Sequence, residues 1–185
     1  MNLGPIFTPA NQLTLLRMLL IPAFVILLIY GYRGWALVVF ITAGLTDLLD
    51  GLIARLMHER TVLGAWLDPM ADKLLLVTMF VMLTVPDIGG PNRLPLWFTV
   101  LVISRDIAIV ATVAVVNLAI GPRTFRPSMY GKVATALYIM TGVMALYYNY
   151  LGQASQLVQV SIWASLAITF ISAGDYAVQV AKIPH

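Results

Sequence analysis

The chain has 185 residues, 61% of them hydrophobic and only 10% charged, with a mean hydropathy of +0.91 and a formal charge of +3. A soluble domain carries about a quarter charged residues, so this composition excludes a water-solvated surface and implies an integral membrane protein. The excess of 11 Lys and Arg over 8 Asp and Glu is too small for the dense basic patch that a nucleic-acid partner demands. No cysteine is present, which excludes disulfides, thiolate metal sites and thiol nucleophiles. His58 and His185 are too few for a multi-histidine zinc centre.

About 20 apolar residues cross a hydrocarbon core as a helix, and six stretches suit that length. Residues up to Ala10, with Phe7 and two prolines, are expected to lie along the headgroups without forming a long helix. The stretches then run over 13–30, 35–57, 68–85, 96–120, 130–151 and 157–181. Punctuation falls between them: Gly31 and Gly34; Pro86, Gly89, Gly90 and Pro91; Gly121, Pro122 and Pro127; Gly152. The pattern predicts an all-α polytopic protein of six transmembrane helices in a single domain over 1–185. The first run has neither a charged n-region nor a convincing small-residue cleavage site, so it is expected to be retained. Arg55, Arg60, Arg123, Arg126, Lys132 and Lys182, with Arg17 near the same edge, fall on one side, whereas Arg33 and Arg93 fall on the other. By the positive-inside bias both termini are cytoplasmic. Trp35, Trp97, Tyr147, Tyr148 and Tyr150 would mark the outer interface. The absence of an Arg-rich, Ser-rich transit segment favours a bacterial cytoplasmic membrane over an organelle.

Five of the eight acids lie between Asp47 and Asp72, and four of these, Asp47, Asp50, Asp68 and Asp72, fall at or inside predicted membrane helices. An intramembrane carboxylate costs several kcal/mol unless it is paired, neutralised or hydrated. At 100° per residue Asp47, Asp50, Gly51 and Ala54 share an arc of about 100° on the second helix. Gly64, Asp68 and Asp72 recur every four residues at the start of the third, where Pro69 is expected in the first turn. The two helices form a hairpin closed on the cytoplasmic side, so the acidic edges can face each other. Carboxylates held together raise each other's pKa unless cations offset the charge, and Arg55 and Lys73 are too few to do so. Oxygen-only ligands select Mg²⁺, Mn²⁺ or Ca²⁺. Small residues among the acids serve either helix packing or the approach of a ligand to the backbone. With Arg55 as a phosphate contact, the cluster suggests a metal–diphosphate site near the cytoplasmic interface.

The pattern Asp47-x2-Asp50-Gly51-x2-Ala54-Arg55-x8-Gly64-x3-Asp68-x3-Asp72 resembles the signature of the CDP-alcohol phosphatidyltransferases, with every fixed position filled. The motif is a small part of the chain but a highly specific one, and six membrane helices also suit that family. The resemblance implies transfer of a phosphatidyl group from CDP-diacylglycerol to an alcohol, releasing CMP. By it Asp47, Asp50, Asp68 and Asp72 hold two divalent ions, Mg²⁺ or Mn²⁺, and Asp72 is the general base. Gly51, Ala54, Arg55 and Gly64 contact the CDP moiety, and the protein is a homodimer.

Softer similarities concern the acceptor. Asn11-Gln-Leu-Thr14-Leu-Leu-Arg17, Ile103-Ser-Arg105-Asp106 and Arg126-Pro-Ser-Met-Tyr-Gly131-Lys132 resemble segments of phosphatidylglycerophosphate synthases and CMP-releasing cardiolipin synthases, and Asp106 leans towards the latter. Arg105, in an otherwise apolar helix, is expected to face the interior and an anion. Arg105, Arg123, Arg126 and Lys132 are candidates for the acceptor phosphate of glycerol 3-phosphate or phosphatidylglycerol, although Arg123 and Arg126 also satisfy the topology bias alone. His58 reads as a solvated interfacial residue, and Asp175 has no assigned role. Two other classes compete: an aspartate-rich Mg²⁺-dependent membrane prenyltransferase, which leaves Gly51, Ala54, Arg55 and Gly64 unexplained, and a cation transporter, whose acids would be spread along a path.

Overall fold

The computed structural model describes residues 9–57, 62–120 and 129–181, with side chains over 13–46, 70–112, 118 and 129–175. The described residues form helices and turns with no strand. The helices are α1 (Pro9–Ile29), α2 (Arg33–Met57), α3 (Val62–Thr84), α4 (Leu96–Ile120), α5 (Met129–Tyr150) and α6 (Gln156–Ala181).

Local chemistry sets several of the ends. After α1, Gly31 takes a φ of +79°, its N–H donates to the Leu28 carbonyl at 3.1 Å, and the Tyr32 N–H donates to Leu27 at 2.8 Å. Gly152 closes α5 in the same way, with a φ of +68° and bonds from Gly152 to Asn149 and from Gln153 to Tyr148. Both are Schellman caps, which need the left-handed residue that glycine supplies without a Cβ penalty. Ser155 caps α6 by accepting the Leu157 N–H at 3.2 Å.

Two starts differ from the sequence expectation. α1 begins at Pro9, because a proline at the first helical position gives up an N–H that would be unsatisfied anyway. α3 begins at Val62, not at residue 68, so Pro69 stands well inside the helix rather than in its first turn. Lacking an N–H, it cannot donate to the carbonyl of Ala65.

α3 is the central helix, touching α1, α2, α4 and α5, while α6 leans on α5 and α4. The core is aromatic where these meet: Phe80 lies 5.7 Å from Phe98 and 6.3 Å from Tyr138 between ring centroids, both edge-on. Gly142 lets α5 press onto α3, since a Cβ there would lie 2.0 Å from the Met79 terminal methyl. Hydroxyl pairs join helices inside this apolar setting: Thr84 with Thr99 at 2.6 Å, Thr141 with Ser165 at 3.1 Å, and Tyr138 with Thr169. At the end holding the α5–α6 turn, Asn149 accepts the Asn92 N–H at 2.8 Å and donates to the Gly89 carbonyl at 2.7 Å. Asn92 in turn accepts the Ser155 N–H at 2.7 Å.

The outside is apolar. Large aliphatic and aromatic side chains are exposed on every helix, among them Leu19, Ile41, Leu74, Val110, Met140 and Phe170. Among the described residues, Met129–Tyr150 and Gln156–Asp175 are long and apolar enough to cross a membrane, with shorter apolar runs at Leu13–Ile29 and Arg33–Thr46.

Candidate functional site

The residues of the acidic motif fall on two helices in contact. Asp47, Asp50, Gly51, Ala54 and Arg55 lie on the C-terminal half of α2, and Gly64, Asp68 and Asp72 on the N-terminal half of α3. The helical register makes 47, 50, 51 and 54 neighbours on one side of α2, and 64, 68 and 72 neighbours on α3. Of these side chains only that of Asp72 is described, and it is exposed. The others lie outside the described side chains, and among those described no three His, Cys, Asp or Glu come together as a metal site.

Beside Asp72 the next residue, Lys73, opens onto a pocket of about 550 Å³ between α3, α4 and α5. Its charged lining is Lys73, Arg105, Asp106 and Lys132, and Ile109, Val110, Ala136 and Ile139 supply an apolar wall. Asp106 pairs with Lys73 and, at 2.9 Å, with Arg105. Arg105 is held from the other side by Ser172 of α6 at 3.1 Å, and its Nε is buried with no hydrogen-bond partner among the described residues. Three bases against one carboxylate leave the pocket positive, which favours an anionic guest. Arg105 and Lys132 both line this pocket. Arg123 and Arg126 lie outside the described residues.

Two residues carry more than the sequence suggested. Lys73 was legible only as a nearby base, but the α3–α4 packing makes it a wall of the pocket. Arg17, placed by the sequence near the cytoplasmic edge, has a side chain fully buried on α1, as does Thr14. The available signal was a lone cation inside an apolar run, which in a membrane helix turns inward. Ala134 and Gly142 are buried within the protomer, so their small size serves internal packing.

The model of the CDP-alcohol phosphatidyltransferase family matches residues 7–171. The chain is 35% identical over 182 residues to the CMP-forming cardiolipin synthase of Homo sapiens, covering 93% of this chain and 57% of that protein. It is 34% identical to a probable phosphatidylglycerophosphate synthase of Mycobacterium tuberculosis, over 90% of this chain and 78% of that one. To a putative cardiolipin synthase of Mycobacterium bovis it is 34% identical, over 70% of this chain and 60% of the relative. The chain thus spans less than two thirds of both cardiolipin synthase relatives.

Proposed function

The chain belongs to the CDP-alcohol phosphatidyltransferase family, and on that premise we propose that it transfers the phosphatidyl group of CDP-diacylglycerol to an alcohol acceptor, releasing CMP, in phospholipid biosynthesis. The observation that carries this reading is the adjacency of the complete acidic motif on α2 and α3 to a cationic pocket that begins at Lys73, the residue after Asp72. A prenyltransferase or a cation transporter agrees with neither the family match nor the filled Gly51, Ala54, Arg55 and Gly64 positions.

The donor set fits the divalent ions that the family implies. Asp47, Asp50, Asp68 and Asp72 offer carboxylate oxygens from two contacting helices with no thiolate among them, the chemistry that Mg²⁺ or Mn²⁺ prefers. Two such ions, when bound, neutralise the donor diphosphate and the charge left on CMP. In this assignment Gly51, Ala54 and Gly64 give the CDP moiety close access to the backbone, and Arg55 contacts its phosphate. Asp72 takes the proton of the acceptor hydroxyl. The hydroxyl oxygen then forms a bond to the phosphatidyl phosphorus as the bond from that phosphorus to the CMP oxygen breaks. Arg105, Lys73 and Lys132 hold the acceptor phosphate, with Arg123 and Arg126 as further candidates from the adjoining segment.

Glycerol 3-phosphate and phosphatidylglycerol both offer a hydroxyl near a phosphate. The apolar wall of Ile109, Val110 and Ile139 supports the lipid acceptor, because a free glycerol phosphate has nothing to set against it. The exposed aliphatic surface on all six helices supports six membrane crossings in one domain over 1–185. The Lys and Arg distribution supports cytoplasmic termini and a cytoplasmic site. The homodimer rests on the family resemblance alone. The deciding experiment supplies purified protein with labelled CDP-diacylglycerol, Mg²⁺ and either acceptor, with serine and inositol phosphate as controls. CMP release with cardiolipin as the lipid product is expected. No CMP with any acceptor would end this reading.

A further inference from the structure

At the opposite end of α2 from the motif, about 25 Å along the axis from Asp50 at 1.5 Å per residue, lies another pocket of about 680 Å³. It is bounded by the α1–α2 turn, the first turns of α2 and the end of α5, and Arg33 is its only charged lining residue among the described residues. The Arg33 guanidinium makes one long hydrogen bond, 3.5 Å to the Asn149 carbonyl, and no ion pair with any described carboxylate. Tyr32, Trp35 and Tyr150 surround it, all more than half exposed. Leu37 and Val38 continue the cleft along α2 towards the middle of the bundle.

We propose that this cleft binds an anionic phospholipid of the leaflet opposite the motif, with its phosphate on Arg33 and an acyl chain along Leu37 and Val38. The proposal rests on the bilayer-embedded part of the reading above, not on the transfer reaction. Charge complementarity selects the headgroup: a guanidinium has five donors, one is used here, and no described carboxylate lines the cleft to compete. The order of groups along α2 matches a lipid read from the surface inwards. Aromatic rings stand at headgroup level beside the cation, and aliphatic side chains follow at acyl level. The volume lies within the range of small-molecule pockets.

The test uses phosphatidylcholine vesicles carrying the protein and a few mole per cent of phosphatidic acid with a photoactivatable acyl chain. Phosphatidylcholine bearing the same group is the control. Peptide mapping is expected to find severalfold more labelling by phosphatidic acid than by the control over residues 31–38 and 147–152. Arg33→Gln should bring the two lipids level, and Arg33→Lys should keep part of the preference. Because Arg33 also ties the Asn149 carbonyl, Val38→Trp is the second variant. It narrows the cleft at an exposed position with the charge intact, and should lower phosphatidic acid labelling severalfold. CMP release should not change in either case. Equal labelling by the two lipids in wild-type protein, or a preference that survives Arg33→Gln and Val38→Trp, overturns the inference alone. No labelling of any residue by either lipid overturns the bilayer reading and the inference with it.

Discussion

Asp72 and Lys73 are adjacent in sequence, and a helix turns adjacent residues about 100° apart. One can therefore serve the acidic motif while the other lines the cationic pocket. Asp72→Asn keeps the size of the side chain and removes its basicity. It is expected to bind CDP-diacylglycerol normally while CMP release falls by roughly 10²–10⁴-fold, the range for loss of a positioned general base. Asp47→Asn should raise the Mg²⁺ concentration needed for half activity, whereas Asp72→Asn should stay slow even at saturating Mg²⁺, and a metal titration separates the two. Wild-type turnover in Asp72→Asn would remove the base assignment. Arg105→Gln should raise KM for the acceptor about tenfold or more, about 1.4 kcal/mol of lost binding, with KM for the donor unchanged. The motif residues are legible in the sequence because acids inside apolar helices are costly and their spacing is local. The full burial of Arg17 is legible only as an inward turn of a lone cation, because the packing of α2 and α3 over α1 that completes it is not a local pattern.

Between elements, the contact of α3 with α5 depends on the missing side chain at Gly142. Met79 opposite is fully buried, so it has no solvent to retreat into when a Cβ is added. Gly142→Ala should lower stability by about 1–3 kcal/mol, as overpacking does. Met79→Ala, destabilising on its own, should cancel much of that cost in the double variant, a coupling that melting temperatures of the four proteins in detergent would measure. Additive losses would mean that the two side chains do not compete for the same space. Helix number and most ends follow from hydropathy and from glycine and proline punctuation. The start of α3 does not, since Gly64 and Pro69 look like breakers to a local reading. The lateral arrangement is equally hidden. Nothing in the local pattern says that α3 is central, because apolar residues face both the lipid-like exterior and the core.

For the whole molecule, charge poverty sets the terms. Among the described residues the exterior is largely aliphatic, and charged side chains gather at the pocket beside the motif and near the turns. Chelation with EDTA is expected to abolish CMP release, with Mg²⁺ or Mn²⁺ restoring it. Activity that survives exhaustive chelation would contradict the carboxylate assignment. A cysteine placed after His185 should react with an impermeant thiol reagent only once the membrane is opened from the cytoplasmic side. Reaction from outside would invert the topology.

The Asn92 and Asn149 pair has a consequence for how this chain can change length. The α3–α4 and α5–α6 turns share their hydrogen bonds through these two side chains, reaching Gly89, Asn92, Gln153 and Ser155. A surface loop ordinarily absorbs an inserted or deleted residue by bulging. Here one extra residue in either turn would shift the donors that the other turn relies on. The two connections, some sixty residues apart in sequence, therefore behave as a single joint, and tolerated insertions belong elsewhere in the chain.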